Sequence, residues 1–445
     1  MFWLFKAYLK KWGKTIIFSF FIGLIAFFAF KSTVIYLINK IPFIEHEEIG
    51  IIGTYTTENL PSEILDKVTI GLTKIGKNGV ANPGIAESWK ITNDGKKYEF
   101  KIKKNVFFED NTPLTSKSIK YDFRDVIIER PNDYVIVFNL KDAYTPFLIT
   151  VSQPIYKKGF IGVGEYKIQD INLNGSFIQS LKLESVKNKN KTITYQFYPT
   201  EEALKLAYVL GEVTKMINIQ NTKFRNTDIS TFKNSKVEKN IDNATLVTVF
   251  YNNSNSLLSD KKLRKALNYA IPDKFSQGER NYTPYSPFLW INEGSINEKE
   301  QDIEKAKELV DQVMENASSS GNLKIELKTL PKHLSIAQIL KESWSKIGVE
   351  TEIKIVEQKP TDFQAFLGEY YLPKDPDQYV LWHSDQQNNI TKYKNLRIDK
   401  LLEDGRKTTD IEERRKIYMD FQKYLFDDAP ASFLINPYVF NISRK

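Results

Sequence analysis

No cysteine occurs in the 445 residues. That excludes disulfides, zinc–thiolate sites, cysteine nucleophiles and any acylated cysteine that could tether the chain to lipid. Histidine is nearly as scarce: His46, His333 and His383 are the three, far apart in the chain. No H-E-x-x-H, G-x-S-x-G or phosphate-binding glycine loop occurs, so the chemistry those patterns carry has no foothold, and no motif calls for a cofactor or a metal. Asp375 and Asp377 could be imagined as a glycosidase pair, but two residues apart in a proline-containing loop they carry no defined separation. Arginine clusters are missing too. The net charge is +8, yet the cations are nearly all lysine and are spread along the chain. Without basic clusters interleaved with aromatics, nucleic acid is not an expected partner. Lys187–Lys191 reads as a solvated hairpin tip, and a mildly basic surface suits anionic lipid headgroups. Internal repeats are absent, and Ala317–Gly321, the only low-complexity patch, reads as a loop.

Aromatic residues, by contrast, are abundant: 13% of the chain, with 23 Tyr and 29 Phe. They serve aromatic-rich cores or a ligand cleft lined by rings. The length suggests two or three domains. One long apolar stretch stands at the N-terminus. Thr15–Phe30 is uncharged, and Ser32–Ile38 continues it past Lys31. Together they reach about 24 residues, where a membrane helix needs roughly 20. Lys31 can snorkel to the headgroups. Lys6, Lys10, Lys11 and Lys14 precede the stretch, and Glu45, Glu47 and Glu48 follow it. The positive-inside rule then puts the N-terminus in the cytoplasm and the body outside, with Phe2, Trp3 and Trp12 as an interfacial belt. A cleaved signal peptide is the competing reading, but no small-x-small site follows the apolar core. The expected segments are a cytoplasmic basic stretch (1–14), a single-pass plasma-membrane anchor (15–38) and a tether (39–48).

The body changes texture along its length. Ile49–Tyr55 predicts a strand and Pro61–Ile70 a short helix. Trp89–Thr92 and Tyr98–Ile102 alternate apolar and polar residues around Asn93-Asp94-Gly95, a hairpin turn signal. Asp110–Pro113 predicts a second turn, and Thr115 or Ser116 can cap a following helix. Asp133–Leu140 alternates, Val163–Tyr198 gives three strands, and Thr200–Leu210 a helix closed by Gly211. Ala244–Tyr251 is a strong strand. Beyond it, helices are expected at Asp260–Ala270, Asp302–Asn316, Ser335–Ile347, Thr361–Leu367, Arg397–Lys407 and Ile411–Phe426. Strands Lys324–Thr329 and Val349–Val356 lie among them, and that alternation implies a partly parallel sheet. Ser432–Asn436 and Tyr438–Ile442 end the chain as short strands.

One region is more specific than this texture. Pro83–Trp89 reads P-G-x-A-E-S-W, Asn93–Phe100 reads N-D-G-x-x-Y-x-F, the pair Phe107-Phe108 follows, and Asp110–Thr115 reads D-x-T-P-L-T. This order closely resembles the signature of the oligopeptide/dipeptide-binding proteins, family 5 of the extracellular solute-binding proteins of ABC importers. Asn111 stands where that family usually has glycine. Further likenesses occur in family order at Val163–Tyr166, Tyr198–Ile219, Asp260–Asp273, Asp399–Leu402 and Glu412–Pro430, covering roughly residues 50–440. The resemblance implies an α/β, periplasmic-binding-protein-like two-lobed fold of type II, in the large peptide-binding class, with an extra strand-rich subdomain at about 71–150. Lobe 1 would comprise residues 49–245, lobe 2 residues 246–427, and 428–445 would return to lobe 1 beside the hinge. It implies a peptide or peptide-like ligand, permease and ATPase partners, and no enzymatic activity.

The candidate site follows from polar-aromatic loops and from that resemblance. Gly368–Asn395 holds Asp375, Asp377, Trp382 and His383. It is either a surface loop or part of a binding cleft. In the resembled family an Asp three residues before the loop's D-P faces the ligand's α-amino group; aligned on Asp375-Pro376, that position is Leu372, and Glu369 replaces the usual Trp. Glu369, Asp375 or Asp377 are the substitutes available. Arg280–Trp290 follows the helix after which the family places ligand-facing residues: Arg280 could meet a carboxylate, and Tyr285 and Trp290 could stack, or the loop's aromatics simply pack. Tyr55 ends the first strand at the edge where lobes meet. The expected ligand-binding set is Tyr55, Arg280, Tyr285, Trp290, Asp375, Trp382 and His383. A different class of function, an anchored extracellular hydrolase acting on peptides or glycans, would require a convergent acid/base pair or nucleophile. A sensor or scaffold receptor without transport remains a third reading.

Overall fold

The computed structural model of the protein describes residues 6, 10–25, 27, 45–292, 300–317 and 323–445. Residues 10–25 are helical, with Ile16, Ile17, Phe18, Phe20, Phe21, Ile22, Leu24 and Ile25 exposed. Among the described residues no helix is long and apolar enough to cross a membrane. Residues 28–38 of the expected span, residues 39–44 of the expected tether, Phe2, Trp3 and most of the Ala317–Gly321 patch lie outside the described residues.

The hairpin signal makes a four-stranded antiparallel unit: β2 (Ala86–Thr92), β3 (Lys97–Ile102), β4 (Val126–Asn132) and β5 (Val135–Leu140), in the order β2-β3-β5-β4. Asn93, Asp94 and Gly95 all have positive φ, a left-handed run that these residue types tolerate and most others do not. On β3, Tyr98, Phe100 and Ile102 are buried while Glu99 and Lys101 face solvent. Phe138 and Phe147 pack against them, and each such ring contributes about 1.5–3 kcal/mol on burial. Asn111, standing where the resembled family usually has glycine, sits at φ 61°, in the left-handed region that glycine favours and asparagine tolerates. The helix expected after Thr115 is a single 3₁₀ turn, Ser116–Ser118, held by reciprocal Thr115 and Ser118 capping. The chain then extends through Ile119 to Tyr121, whose hydroxyl donates to the Val151 and Gln153 carbonyls.

A twelve-stranded mixed sheet forms the rest of the frame. Its first half holds β1 (Glu45–Ile52), β6 (Tyr166–Asn174), β7 (Phe177–Ser185), β8 (Lys191–Tyr198), β9 (Lys215–Ile219) and β10 (Ser235–Ile241). Helices α1 (Ser62–Val68) and α2 (Glu201–Leu210) cover it. Thr200 caps α2 through the Ala203 N–H, and Gly211 closes it at φ 89°.

The second half is built on β11 (Thr245–Tyr251), whose seven residues are all buried, as a central strand covered on both faces must be. Around it stand α3 (Lys261–Tyr269), β12 (Gly278–Arg280), α4 (Ile303–Ala317), β13 (Leu323–Thr329), α5 (Leu334–Ser345), β14 (Val349–Ile355) and β15 (Ala365–Tyr371). The short α6 (Tyr379–Trp382) leads to α7 (Leu396–Lys407), α8 (Ile411–Asp428) and β16 (Ala431–Arg444). β13 pairs in parallel with β14 and β15, as the alternating texture implies. One apolar core lies under α3, α4 and α5, and a second on the opposite face, under α7 and α8.

Two expectations change here. Thr361–Leu367 is not a helix: Ala365–Tyr371 is a strand, antiparallel to β11 with Phe250 opposite Phe366 and Val247 opposite Glu369. Seven paired residues against a buried strand outweigh the helical preference of Ala and Leu. The two terminal strands are one, β16. Its residues 431–435 pair with β11 and 438–444 with β10, and Pro437 marks the crossing. Pro437 lacks an N–H but its carbonyl accepts from Asp242 at 2.9 Å, so the proline falls where the strand changes partners.

The four-stranded unit also touches the second half directly. Thr145 donates its N–H to the Arg406 carbonyl at 2.7 Å and its hydroxyl to that of Thr408 at 2.8 Å. Trp290 N–H donates to the Asn78 carbonyl at 3.0 Å. At neighbouring Gly79 (φ 77°) a Cβ would lie 2.4 Å from Leu289 Cδ1 and 2.5 Å from the Lys374 carbonyl, so the approach requires glycine.

Candidate functional site

The pairing of β11 with β15 sets Phe250, Phe366 and Tyr370 on one face. The Phe250 ring lies 6.3 Å from Phe366, nearly parallel, and 5.9 Å from Tyr370. Leu381, Trp382, Asn388, Ile390 and Thr391 come over this face from the loop after β15, with Lys359 and Glu369 completing the wall. The pocket is partly open to solvent, with a cavity volume of about 70 Å³, an apolar floor and a polar rim.

Glu369 is the carboxylate of this wall. Its Oε1 takes the Lys332 ammonium, and its Oε2 lies 3.2 Å from Nε2 of His333, itself buried. Burial opposes its charge, but the His333 and Lys332 contacts win and hold its pKa at about 2, below the ordinary 4.5. Glu369 is therefore an ionised acceptor in a half-apolar setting.

The other two candidate carboxylates are engaged differently. Asp375 forms a two-pronged pair with Arg414, at 2.9 Å from Nη1 and 2.5 Å from Nη2, and both residues are buried. Asp377 accepts from Arg406 Nε at 2.8 Å, and burial pushes its pKa up despite that cation. Arg406 in turn lies over the rings of Tyr379 and Tyr144, at 4.2 and 5.3 Å. The D-P-D loop thus fastens α7 and α8 beneath the contact with the four-stranded unit.

Of the seven expected ligand-binding residues, Trp382 alone lines the pocket. It is 2% exposed, its Nε1 donates to Gln378 Oε1 at 2.7 Å, and its ring meets Phe433 edge-on. Tyr285 is fully buried, donating to the Pro376 carbonyl at 3.1 Å, and Trp290 is buried in the same core. Leu372, at the position of the family's amine-facing Asp, belongs to that core too. His383 stacks on Tyr379 at 4.1 Å, and its Nε2 is 3.5 Å from Glu403 Oε1. Arg280 lies apart, in a small niche with Lys265, Asn268 and Tyr282. Its Nη1 donates to the carbonyls of Asn281, Phe433 and Leu434, and burial lowers its pKa to about 10. Tyr55 packs against Phe197 at 5.1 Å and donates to the Ile52 carbonyl at 3.2 Å. Burial, and then the neighbouring Tyr371 from the second half, raise its pKa. Tyr371 is 79% exposed at the end of β15. Phe250, Phe366, Tyr370 and Lys359 were not anticipated. Their signal is the alternation Phe366-x-Gly368-x-Tyr370, legible once Ala365–Tyr371 is read as a strand.

Among the described residues no group of three His, Asp or Glu side chains is placed to hold a metal ion. The charged members of the pocket wall are Glu369 and Lys359.

The chain is 26% identical to the oligopeptide-binding protein AppA of Bacillus subtilis, over 86% of this chain and 83% of that protein. Its fold matches the crystal structure of NikZ from Campylobacter jejuni in complex with Ni(L-His), with a TM-score of 0.72, 21% identity, and 91% and 95% of the two chains covered. It also matches AppA from Bacillus subtilis in complex with a nonapeptide, with a TM-score of 0.66, 23% identity, and 90% and 95% covered. These are two-lobed α/β binding proteins. The family model for bacterial extracellular solute-binding proteins, family 5 Middle, matches residues 81–392. That match covers more than half of the chain, and its members are solute-binding proteins rather than enzymes; the chain belongs to the bacterial extracellular solute-binding proteins of family 5.

Proposed function

We propose that the chain is an extracytoplasmic receptor that closes two lobes over a peptide or peptide-like solute and presents it to the permease and ATPase subunits of an ABC importer. Lobe 1 comprises residues 49–245 with the end of β16 (438–444), and lobe 2 residues 246–427 with the start of β16 (431–435); they move about the crossings near Asp242 and Pro437. The observation that carries the reading is the pocket on β11 and β15. A floor of Phe250, Phe366, Tyr370 and Trp382 accepts varied apolar side chains, and a fixed ionised carboxylate stands at its edge. Membership of a family of solute-binding proteins favours binding over hydrolysis.

The receptor is held at the plasma membrane by its N-terminal segment, N-terminus inside. The exposed apolar side chains of the helix at residues 10–25 support this, together with the lysines before it. N-terminal sequencing of the mature protein tests the anchor; a start within residues 30–48 contradicts it. Incubation of the detergent-solubilised full chain with a peptide mixture, followed by mass spectrometry, tests the function. Intact peptides retained on the protein are expected. Cleaved peptides would favour the hydrolase, and no retained peptide would overturn the reading.

A further inference from the structure

The charges on the pocket wall do not cancel. Glu369 is already matched by Lys332, with His333 at its other oxygen. Lys359, the other charged residue of the wall, is exposed and forms no ion pair among the described residues. Glu357 and Asp362, on the same loop, do not line the pocket. Deeper in the second half, Asp375 and Asp377 are taken by Arg414 and Arg406. Each carboxylate that could greet a ligand's ammonium therefore has a cation from its own chain, whereas one ammonium faces the pocket without an anion. A solute bringing a negative charge meets an uncompensated Lys359; one bringing a positive charge must compete with Lys332 for Glu369.

We propose that the pocket recognises the carboxylate end of its solute, taking a peptide whose last residue is apolar. That residue's side chain lies on Phe250, Phe366, Tyr370 and Trp382, and its terminal carboxylate pairs with Lys359. Glu369, held in place by Lys332, accepts a backbone N–H of the peptide. The anion is a carboxylate rather than a phosphate, because a single lysine matches one negative charge, and no arginine fork lines the wall to meet a dianion. Recognition of the amino end, which Leu372 cannot provide, is then dispensable. This inference rests on the peptide-receptor reading and names the end of the peptide that the site reads.

Calorimetry on the detergent-solubilised full chain tests it, using Ala-Ala-Phe as the free acid, as the C-terminal amide and as the N-acetylated acid. The amide is expected to bind about fivefold more weakly than the acid, the upper end of what an exposed charge pair contributes. Acetylation is expected to change affinity by less than about threefold. Lys359→Ala should erase the difference between acid and amide, Lys359→Arg should keep it, and added salt should shrink it. Lys359 is exposed, so these variants leave the fold intact. Equal binding of acid and amide by the unaltered protein, or a difference that survives Lys359→Ala, overturns the inference while leaving a peptide receptor standing. Failure of all three peptides to bind, along with a mixed peptide library, overturns the receptor reading and this inference together.

Discussion

Asp375 and Glu369 lie six residues apart, both as carboxylates paired with cations of their own chain, and the pairings have opposite consequences. Asp375 meets a planar guanidinium inside the core, with Arg414 also donating from Nε to the Gly405 carbonyl at 2.7 Å. Both partners are desolvated, both Asp375 oxygens are used, and the pair holds α8 against the loop that carries it. Glu369 meets a flexible lysine and a histidine at the edge of a pocket, with 23% of its side chain still exposed. A carboxylate closed in by a buried fork is structural; one steadied at a rim keeps lone pairs for a ligand.

The sharpest way to break this comparison is Asp375→Ala. It leaves the Arg414 guanidinium buried without a counter-charge, and unfolding by denaturant should show a loss of about 3–5 kcal/mol. A change under about 1 kcal/mol would put the pair in the class of screened surface bridges.

Arg406→Ala should have the next largest effect, about 1.5–3 kcal/mol from the lost charged hydrogen bond to Asp377. Because Arg406 also covers Tyr144 of the four-stranded unit, that unit should become more sensitive to limited proteolysis than the second half. Equal sensitivity of both would show that the backbone bonds from Thr145 suffice.

The remaining test is in pH dependence, and it has a sign. The Glu369 pKa is lowered by folding from 4.5 to about 2. Its contribution to stability is thus fully present above pH 4.5 and is lost as the pH falls toward 2. The Asp377 pKa is raised above 3.8, so its contribution runs the other way and diminishes as the pH climbs through that raised value. Thermal melts from pH 2 to 6 should show Glu369→Gln with a flatter acid limb than the unaltered protein and Asp377→Asn with a steeper one. Identical limbs would mean that neither carboxylate differs from its unfolded state.

Much of the frame was legible before the fold was known, for local reasons. The Asn93-Asp94-Gly95 turn, the helix end at Gly211, and the alternation along Tyr98–Ile102 are short-range features, and each stands where expected. The site was far less legible. Tyr285 and Trp290 read equally well as stacking platforms and as core, and the structure buries both. Arg280 has the chemistry of a carboxylate anchor, yet three backbone carbonyls near β16, more than 150 residues along the chain for two of them, claim its Nη1. Reading Thr361–Leu367 as a helix hid the period-two face that carries the pocket floor.

The sequence alone determined the family signature, the turn chemistry, the absence of cysteine and metal-ligand patterns, and the single apolar N-terminal stretch. Each depends on residue type and near-neighbour spacing. Only the tertiary structure decided which carboxylates are already matched and which face of Ala365–Tyr371 forms the pocket floor. It also decided where the last strand changes partners. These depend on which distant segment arrives to pair, and composition does not encode that: Asp375 and Glu369 are alike as residues, and differ because Arg414 reaches one in the core while Lys332 reaches the other at a rim.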